Sequence, residues 1–418
     1  MNRKVMNRKT TTKRMSRKTN RKTINRKLNR RTMSRNRMSK KDQRIFRVVA
    51  ASLAIMVLSV LVLSMVQKPE KVKAAEVHSV WVCFYEFDKI GLANVDETTF
   101  RANARKMYTK MKAKECNTVY FHVRAHDDAI WPSTVFPFSE YMGKTMPDYD
   151  PLQILVEEAH RQKISFHAWM NPYRKSSTKV LNPGKASTIN RVVAAVREVA
   201  EGYDVDGIHF DDYFYPSGKY GNLSVATKKK NVNKMIRKVY KVVKASSPSM
   251  QFGISPAGNV EYCHSIGADV ERWMKKKGYI DYIVPQIYWS DNYKMGGKKV
   301  KLYTKRLKQW KSLNKKKIPM YIGLGLYRAQ MRDSQDLGWR QRNNNLVSQV
   351  KLLRNQKMNG YSLFSYTSMF GKKQKTEMNN LLSYIRNQKA PKTETADTET
   401  PKVETAEVTA TGASVERS

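Results

Sequence analysis

The segment Ile164-Ser-Phe-His-Ala-Trp-Met-Asn171 is the most informative about the fold class, because its residues alternate between two faces of different chemistry. Side chains of a β-strand point to opposite faces with a period of two residues. One face carries Ile164, Phe166, Ala168 and Met170, and the other carries Ser165, His167, Trp169 and Asn171. The segment is therefore predicted to be a strand between a hydrophobic layer and an interior of hydrogen-bonding groups.

The same alternation recurs in four other strand-like segments along the chain. In Thr118–Arg124, Val119, Phe121 and Val123 oppose Tyr120, His122 and Arg124. The corresponding face carries Gly207, His209 and Asp211 in the fourth segment, and Gly253 and Ser255 in the fifth. In the sixth segment it carries Val284, Gln286 and Tyr288. Interior polar groups are costly to bury without partners, so five such strands indicate a functional interior.

Eight strand-like segments alternate with amphipathic helical runs. The strands are Val80–Tyr85, Thr118–Arg124, Ile164–Asn171, Gly207–Asp211, Gln251–Ser255, Tyr282–Tyr288, Met320–Leu324 and Tyr361–Phe364. The helical runs include Thr98–Ala113, Leu152–Gln162, Thr188–Glu201, Lys228–Ala245, Val300–Leu313, Arg342–Gln356 and Lys373–Arg386. This order predicts an α/β fold of the (β/α)₈ TIM-barrel type. A doubly wound sheet is the alternative, but no glycine-rich phosphate loop follows the first strand.

The formal net charge of +44 suggests a nucleic-acid binder until its distribution is considered. Residues 1–47 form a basic low-complexity leader with 20 Lys or Arg and one acid, Asp42. The 19-residue uncharged segment Val48–Val66 follows, a transmembrane or signal-peptide segment long enough to span a bilayer. Its positive flank predicts a cytoplasmic N-terminal side and export of everything downstream, which excludes nucleic acid as the partner.

The exported part divides into a linker, one domain and a tail. Residues 67–75 are the linker, and small residues there predict a signal-peptidase cut before Ala75, with Met38 as an alternative translation start. Residues 76–386 form the barrel, and residues 387–418 form a disordered tail rich in Thr, Glu and Pro. The barrel has 52 Lys or Arg against 27 acids, so a polyanionic cell wall is the expected surrounding. The protein is expected to be secreted or anchored at the outer face of the membrane.

Catalytic candidates are carboxylates near strand ends. Asp211 is the last inward residue of the fourth strand and is the candidate nucleophile or general base; Asp212 begins the loop. A glycosidase normally needs a second carboxyl group, for which Asp128 is the first choice and Asp212 the second. Other loop acids are Asp127, Glu86, Glu261 and Asp291.

Candidate substrate-binding residues combine flat apolar faces with directional hydrogen-bonding groups, a mixture that suits a sugar ring. They are Arg124, His167, Trp169, Asn171, Arg174, His209, Tyr213, Ser255, Gln286, Tyr288 and Trp289, with Trp81 as a further aromatic face. His122, His126, His167, His209 and the paired aspartates could form a metal site with nitrogen and oxygen ligands, but the sequence contains no metal-binding motif. No metal and no cofactor are predicted, and the three cysteines lack metal or redox spacing.

Several longer motifs resemble the glycosyl hydrolase-like 10 family over about residues 78–370. They are His167-Ala-Trp-Met-Asn-Pro-Tyr-Arg174, Gly207-Ile-His-Phe-Asp-Asp-Tyr-Phe-Tyr-Pro216, Gly253-Ile-Ser-Pro256 and Asp281-Tyr-Ile-Val-Pro-Gln-Ile-Tyr-Trp289. Shorter matches are Val123-Arg124 with Asp128-Ala129, Tyr149-Asp-Pro-Leu152, and Ala268-Asp269 with Trp273. The chain departs from the family pattern after Arg124, where Ala-His stands, and after Ser255-Pro256, where Ala257 stands.

The resemblance implies an exported bacterial (β/α)₈ glycosidase acting on peptidoglycan glycan strands, particularly strands stripped of their stem peptides. It also implies catalytic residues at the acidic end of the fourth strand, which matches Asp211 and Asp212. The residues by themselves are also compatible with two other functions. One is a non-catalytic wall-binding barrel, favoured by the lack of a second inward carboxylate. The other is a metal-dependent polysaccharide hydrolase such as a deacetylase.

Overall fold

The computed structural model describes residues 40–41, 43–49, 51–52, 75–216 and 222–389. The chain divides into two compact units, Met1–Ala74 and Ala75–Ser418. The described residues of the first unit are helical and exposed to solvent. Most of the leader 1–47, of the segment Val48–Val66 and of the linker 67–75 lies outside the described residues, as does the tail beyond residue 389. None of the helices in the described ranges combines the length and apolar character needed to cross a membrane.

The second unit is built on parallel strands that close into a barrel. In chain order the strands are β1 Val77–Val82, β2 Thr118–Arg124, β3 Ser165–Met170, β4 Gly207–Phe210, β5 Gln251–Ile254, β6 Tyr282–Ile283, β7 Tyr293–Met295, β8 Lys298–Val300, β9 Tyr321–Leu324 and β10 Gly360–Phe364. Eight of them form one sheet in the order β6-β5-β4-β3-β2-β1-β10-β9, and β7 and β8 form a separate hairpin. Parallel bridges from Ile283 to Met320 and from Gln286 to Gly323 join β6 to β9. The predicted (β/α)₈ barrel is confirmed.

Helices surround the barrel and begin where the sequence supplies caps. The principal helices are Glu97–Ala113, Pro151–Arg161, Ala186–Gly202, Val225–Ser246, Leu302–Leu313, Asn345–Asn355 and Lys375–Lys389. Shorter helices span Phe87–Ile90, Val260–Ser265, Val270–Lys275 and Leu337–Gln341. Asp96, Asp150 and Ser224 each accept a backbone N–H of the first turn that follows. Such caps satisfy amide groups that a helix start leaves without partners, so these residues set where the chain turns helical.

The two faces of the strands lie in two different cores. Val119, Phe166 and Ile208 pack with the helices in the large outer core. The barrel interior instead holds Trp81, Cys83, Tyr120, Trp169, Tyr282, Val284 and Tyr321. The predicted inward and outward faces of β2 to β5 are confirmed, and the interior is filled mainly by aromatic rings.

Gly253 is required by the way the interior is filled. A Cβ atom at this position would overlap the ring of Tyr282 on the neighbouring strand. Tyr282 is fully buried and crosses the barrel toward His167 and His209, to which its hydroxyl is hydrogen bonded. The small residue on β5 therefore makes room for the large one on β6.

Two predicted strands differ from the observed ones. The predicted strand Tyr282–Tyr288 is wrong in length, because β6 contains only Tyr282 and Ile283. Pro285 has no N–H to donate, and beyond it the segment pairs only through isolated bridges. The predicted first strand, Val80–Tyr85, is displaced: β1 ends at Val82, since the chain turns into a 3₁₀ helix at Phe84–Glu86.

Candidate active site

A cavity of about 370 Å³ opens at the C-terminal ends of the strands, where barrel enzymes carry their catalytic groups. Residues from all eight barrel strands, or from the loops that follow them, contribute to its walls. The lining residues are Trp81, Cys83, Phe84, Tyr85, His122, Trp169, Asn171, Arg174, Asp211, Asp212, Tyr213, Ser255, Gln286, Tyr288, Tyr327 and Phe364. The cavity thus joins an aromatic wall to a set of amide, imidazole, guanidinium and carboxyl groups.

Asp211 and Asp212 are the acidic residues of this cavity among the described residues. Both follow directly on β4, which ends at Phe210. Asp211 is only 3% exposed, and the backbone N–H of Tyr213 donates to its Oδ1 at 3.4 Å. Burial, and then the neighbouring charge of Asp212, raise the pKa of Asp211 well above its ordinary value.

The second carboxyl group of the cavity belongs to Asp212, and its pKa is raised as well. Burial raises the pKa of Asp212 to about 6, against the opposing effect of the positive charge on Arg174. The pKa values of both carboxyl groups are thus raised, and for Asp211 the charge of Asp212 adds to the effect of burial. Environments that separate the pKa values of two carboxyl groups divide the roles of proton donor and anion between them.

Buried polar atoms of four cavity residues have no hydrogen-bond partner among the described residues. They are both ring nitrogens of His122, Nε1 of Trp169, Oδ1 of Asn171 and Oδ2 of Asp211. Buried polar groups are normally paired, because an unpaired group loses its hydration without compensation. Their clustering in one cavity indicates a binding site for a ligand that both donates and accepts hydrogen bonds.

The ring of His122 lies flat against Trp169, with centroids 3.8 Å apart and an interplanar angle of 9°. Burial, followed by the nearby charge of His126, lowers the pKa of His122 well below its ordinary value. The imidazole is therefore neutral at physiological pH. It can donate one hydrogen bond and accept another, as sugar hydroxyl groups also do.

Beneath the cavity, a chain of hydrogen bonds fixes the floor. The indole N–H of Trp81 can only donate, so it donates to Nε2 of His209 at 3.3 Å. His209 then carries its proton on Nδ1, 3.0 Å from the hydroxyl oxygen of Tyr282, and that hydroxyl donates to Nδ1 of His167 at 2.8 Å. Burial lowers the pKa of both histidines, so this network is neutral. The floor is thus rigid and carries no charge.

Arg174 places a cation at the mouth of the cavity. Its guanidinium group lies 4.1 Å from the centroid of the Tyr213 ring, and one of its N–H groups donates to the Ser177 carbonyl at 3.3 Å. The side chain is partly exposed. It can therefore contact an anionic group on a ligand while it also lowers the pKa values of the two aspartates.

Two other acids near strand ends, Asp128 and Glu86, accept hydrogen bonds from loop residues. Asp128 accepts the backbone N–H groups of Ala125 and His126, at 3.1 and 2.7 Å, and the hydroxyl of Ser139. Glu86 accepts from the backbone N–H groups of Cys83 and Thr367, both at 2.8 Å. Neither side chain lines the cavity. Within the described ranges, no three His, Cys, Asp or Glu side chains cluster in a way that could hold a metal ion.

Comparison with known proteins identifies the family. The model of the family described as glycosyl hydrolase-like 10 matches residues 86–179 and 173–341. The chain belongs to this family. It is 30% identical over 318 residues to glycosyl hydrolase DigH of Escherichia coli, an alignment that covers 58% of this chain and 71% of that protein. It is also 28% identical over 297 residues to glycosyl hydrolase YngK of Bacillus subtilis, covering 56% of this chain and 57% of that one.

Solved structures share the fold of this glycosyl hydrolase-like 10 protein. An α-L-fucosidase, isoenzyme 2 from Paenibacillus thiaminolyticus, has a TM-score of 0.50 and 12% identity; the match covers 75% of this chain and about half, 49%, of the fucosidase. Another glycoside hydrolase has a TM-score of 0.50 and 12% identity, covering 74% of this chain and 99% of the other. At such identities the likeness supports the barrel fold alone. Family membership places the protein among the glycoside hydrolases.

The glycosyl hydrolase-like 10 barrel brings most of the predicted site residues into the cavity. The predicted residues that line it are Trp169, Asn171, Arg174, Asp211, Asp212, Tyr213, Ser255, Gln286 and Tyr288. Gln286 is oriented by its side-chain N–H, which donates to the Ser255 carbonyl at 2.8 Å. These residues lie at the C-terminal ends of strands β3 to β6 or in the segments that follow, so the polar strand ends meet as their alternation predicts.

Five predicted residues lie elsewhere. Arg124 is buried and donates to the backbone carbonyls of Asn171 and Arg174, so it positions cavity residues without lining the cavity. His167 and His209 belong to the floor network, and Asp128 to its own loop. Trp289 packs against the outer core.

The cavity also contains residues that were not among the predicted site residues. They are Cys83, Phe84, Tyr85, His122, Tyr327 and Phe364, whereas Trp81, which also lines the cavity, was predicted as an aromatic face. Alternation along β1 extends from Ser79 through Trp81 to Cys83, so the inward position of Cys83 could have been predicted from the sequence. Phe84, Tyr85 and Tyr327 follow strand ends in irregular turns, where no periodicity indicates the direction of a side chain.

Proposed function

We propose that this protein hydrolyses the glycosidic bonds of peptidoglycan glycan strands, with Asp211 as the general acid. The observation that carries the proposal is the adjacent Asp211–Asp212 pair, whose two carboxyl groups have raised but different pKa values in a polar, aromatic-walled cavity. A protonated carboxyl group can donate to the glycosidic oxygen as the bond breaks. The aromatic wall and the unpaired amide, indole and imidazole atoms suit the faces and edges of sugar rings.

The nucleophile in this proposal comes from the substrate. When two enzyme carboxyl groups act directly, they flank the scissile bond from opposite sides, about 5–9.5 Å apart. Here the acids lining the described cavity are two consecutive residues at one strand end. Peptidoglycan sugars carry a 2-acetamido group, and its carbonyl oxygen can attack the anomeric carbon instead. The ionised Asp212 then accepts the acetamido N–H while Asp211 protonates the leaving oxygen, and water subsequently opens the cyclic intermediate and returns a proton to Asp211.

Arg174 supports a preference for glycan without stem peptides. Its guanidinium group is partly exposed at the mouth and suits a carboxylate ligand. The lactyl group of muramic acid has a free carboxylate only when no peptide is attached to it. The proposal also requires export of residues 76–386, as the apolar segment Val48–Val66 and its positive flank predict. Whether that segment is cleaved or remains as a membrane anchor, the barrel lies outside the cytoplasm.

The substrate assignment is tested with the purified protein on two forms of peptidoglycan. We expect new reducing ends, detected by mass spectrometry of the released fragments, and at least a roughly tenfold higher rate on denuded than on peptide-bearing strands, a difference of about 1.4 kcal/mol. Cello-oligosaccharides, which lack the acetamido group, are the control and should not be cleaved. Absence of new reducing ends from both peptidoglycan forms contradicts the glycosidase proposal. Release of acetate without chain cleavage indicates a deacetylase instead.

The pH dependence follows from the two aspartates. Asp212 must be ionised and Asp211 protonated, so kcat should rise as the pH increases through about 6 and fall again at higher pH. The two apparent pKa values belong to the pair as a whole, because the groups interact. Rates on denuded glycan between pH 4 and 10 measure this profile, and Asp212→Asn should remove its acidic limb. A rate that is highest at pH 4 would show that the ionised carboxylate is not required.

A further inference from the structure

A second concave surface lies on the outside of the barrel, along the helix Val225–Ser246. It is a groove of about 840 Å³, and seven of its twelve lining residues are Lys or Arg. The helix itself contains no acidic residue. Asp269 is the acidic residue of the described groove. None of the residues of the catalytic cavity lines this basic groove.

Four of the cations form a stripe along one face of the helix. Lys230, Lys234, Arg237 and Lys241 are separated by four, three and four residues, which places them one turn apart on the same side. All four side chains are exposed. With a rise of 1.5 Å per residue, the stripe extends over about 16 Å with one positive charge for every ~5.4 Å turn.

This positive charge is not neutralised within the described part of the protein. Asp269 is already paired with Arg272 at 2.8 Å and contacts Lys229 at 3.6 Å. Lys230, Lys234 and Lys241 form no ion pair with any described residue. By contrast, the helix Glu97–Ala113 pairs its arginines with Glu157 and Glu158 on the neighbouring helix. Like charges one turn apart destabilise a helix, so an external anion would relieve repulsion that the protein does not relieve itself.

We propose that the basic groove binds a linear polyol-phosphate polymer, in which phosphodiester anions recur along a flexible chain. A regular row of cations in a concave surface matches a linear polyanion better than a flat lipid headgroup surface. Single-stranded nucleic acid is usually bound with aromatic side chains on which the bases stack. The aromatic residue of this groove, Tyr279, is only 7% exposed and offers no such platform. Binding here does not depend on the proposed glycosidase activity and would hold the enzyme beside a phosphate-bearing wall polymer.

Residue-resolved footprinting tests the proposal on the full-length protein. Lysines are acetylated with and without a synthetic glycerol-phosphate oligomer, and the modification rates are read by mass spectrometry. We expect Lys230, Lys234 and Lys241 to react at least about fivefold more slowly with the oligomer present, since bound phosphates occlude their amines. Lys106, Lys315 and Lys316, which are exposed on other parts of the barrel, are the controls and should change little. Unchanged rates at the three groove lysines would overturn the proposal.

A charge-removing variant provides the second measurement. We expect Lys230→Gln/Lys234→Gln/Arg237→Gln/Lys241→Gln to weaken binding of the oligomer by about tenfold or more and to flatten the salt dependence of affinity. The matched variant Lys106→Gln/Lys294→Gln/Lys315→Gln/Lys316→Gln removes the same charge elsewhere and should bind within about twofold of the wild type. Equal losses in both variants would show that only net charge matters and would overturn the site. Equal or stronger protection of the groove lysines by single-stranded DNA or by phosphatidylglycerol vesicles would overturn the assignment to a polyol phosphate.

Discussion

Replacement of Asp211 by Asn is expected to lower kcat on denuded peptidoglycan by about 10³-fold, the effect of losing a general acid. The amide has nearly the shape of the carboxyl group but cannot release a proton to the glycosidic oxygen. KM should change little, because the rest of the cavity stays in place. Initial rates of reducing-end formation measure both constants.

The controls for Asp211→Asn separate lost chemistry from lost structure. Folding places the Asp211 carboxyl group where its ionised form is disfavoured, so the native protein is less stable at pH 7 than it would be with a neutral group there. The thermal midpoint of Asp211→Asn at pH 7 should therefore equal or exceed that of the wild type. Asp148→Asn, an exposed aspartate, should keep full activity. A residual activity above a tenth of the wild-type rate would show that another group supplies the proton. The wall-binding alternative would be supported if the wild type is inactive and if the wild type and Asp211→Asn bind cell walls with equal affinity.

Replacement of Glu86 by Ala is expected to lower the free energy of unfolding by about 3–5 kcal/mol, because each buried donor that loses its acceptor costs about 1–3 kcal/mol. The Glu86 carboxyl group is fully buried and accepts hydrogen bonds from the backbone N–H groups of Cys83 and Thr367 and from the hydroxyls of Ser365 and Thr367. Alanine would leave these buried donors without an acceptor. The residue joins the segment after β1 to the segment after β10, so the cavity wall at Phe364 should loosen as well.

Chemical denaturation of Glu86→Ala measures the loss, with Glu140→Ala as the control. Glu140 is exposed, so its removal should change the free energy of unfolding by less than about 0.5 kcal/mol. Glu86→Gln should fall between the wild type and Glu86→Ala, because the amide oxygen can accept only part of the network. A loss below about 1 kcal/mol for Glu86→Ala would show that the loops find other acceptors.

Much of the fold and of the cavity could be predicted from local patterns. Alternation in Thr118–Arg124 and Ser165–Met170 correctly assigned His122 and Trp169 to the interior. Position at a strand end correctly brought Asn171, Asp211 and Ser255 together. These predictions hold because a parallel barrel places all its strand C-termini on one face. Depth within the barrel could not be predicted in the same way. His167 and His209 point inward as expected, but each lies one layer below the cavity and is hydrogen bonded to Tyr282.

Local sequence patterns are sufficient to predict the barrel, the inward faces of its strands and the strand end that carries the paired aspartates. Periodicity and the identity of strand-end residues are local properties, so they can be read without knowing which segments meet. Which acids are free to react depends on contacts that form only in the folded protein. Asp128 and Glu86 are carboxylates in loops that follow strands, but loop amides and hydroxyls are hydrogen bonded to them. The folded loops bring those partners to them, and three of the four donors to Glu86 belong to Ser365 and Thr367, 279 and 281 residues away in the chain. Hydrogen bonds over such separations depend on how the whole chain folds, and no local pattern contains them.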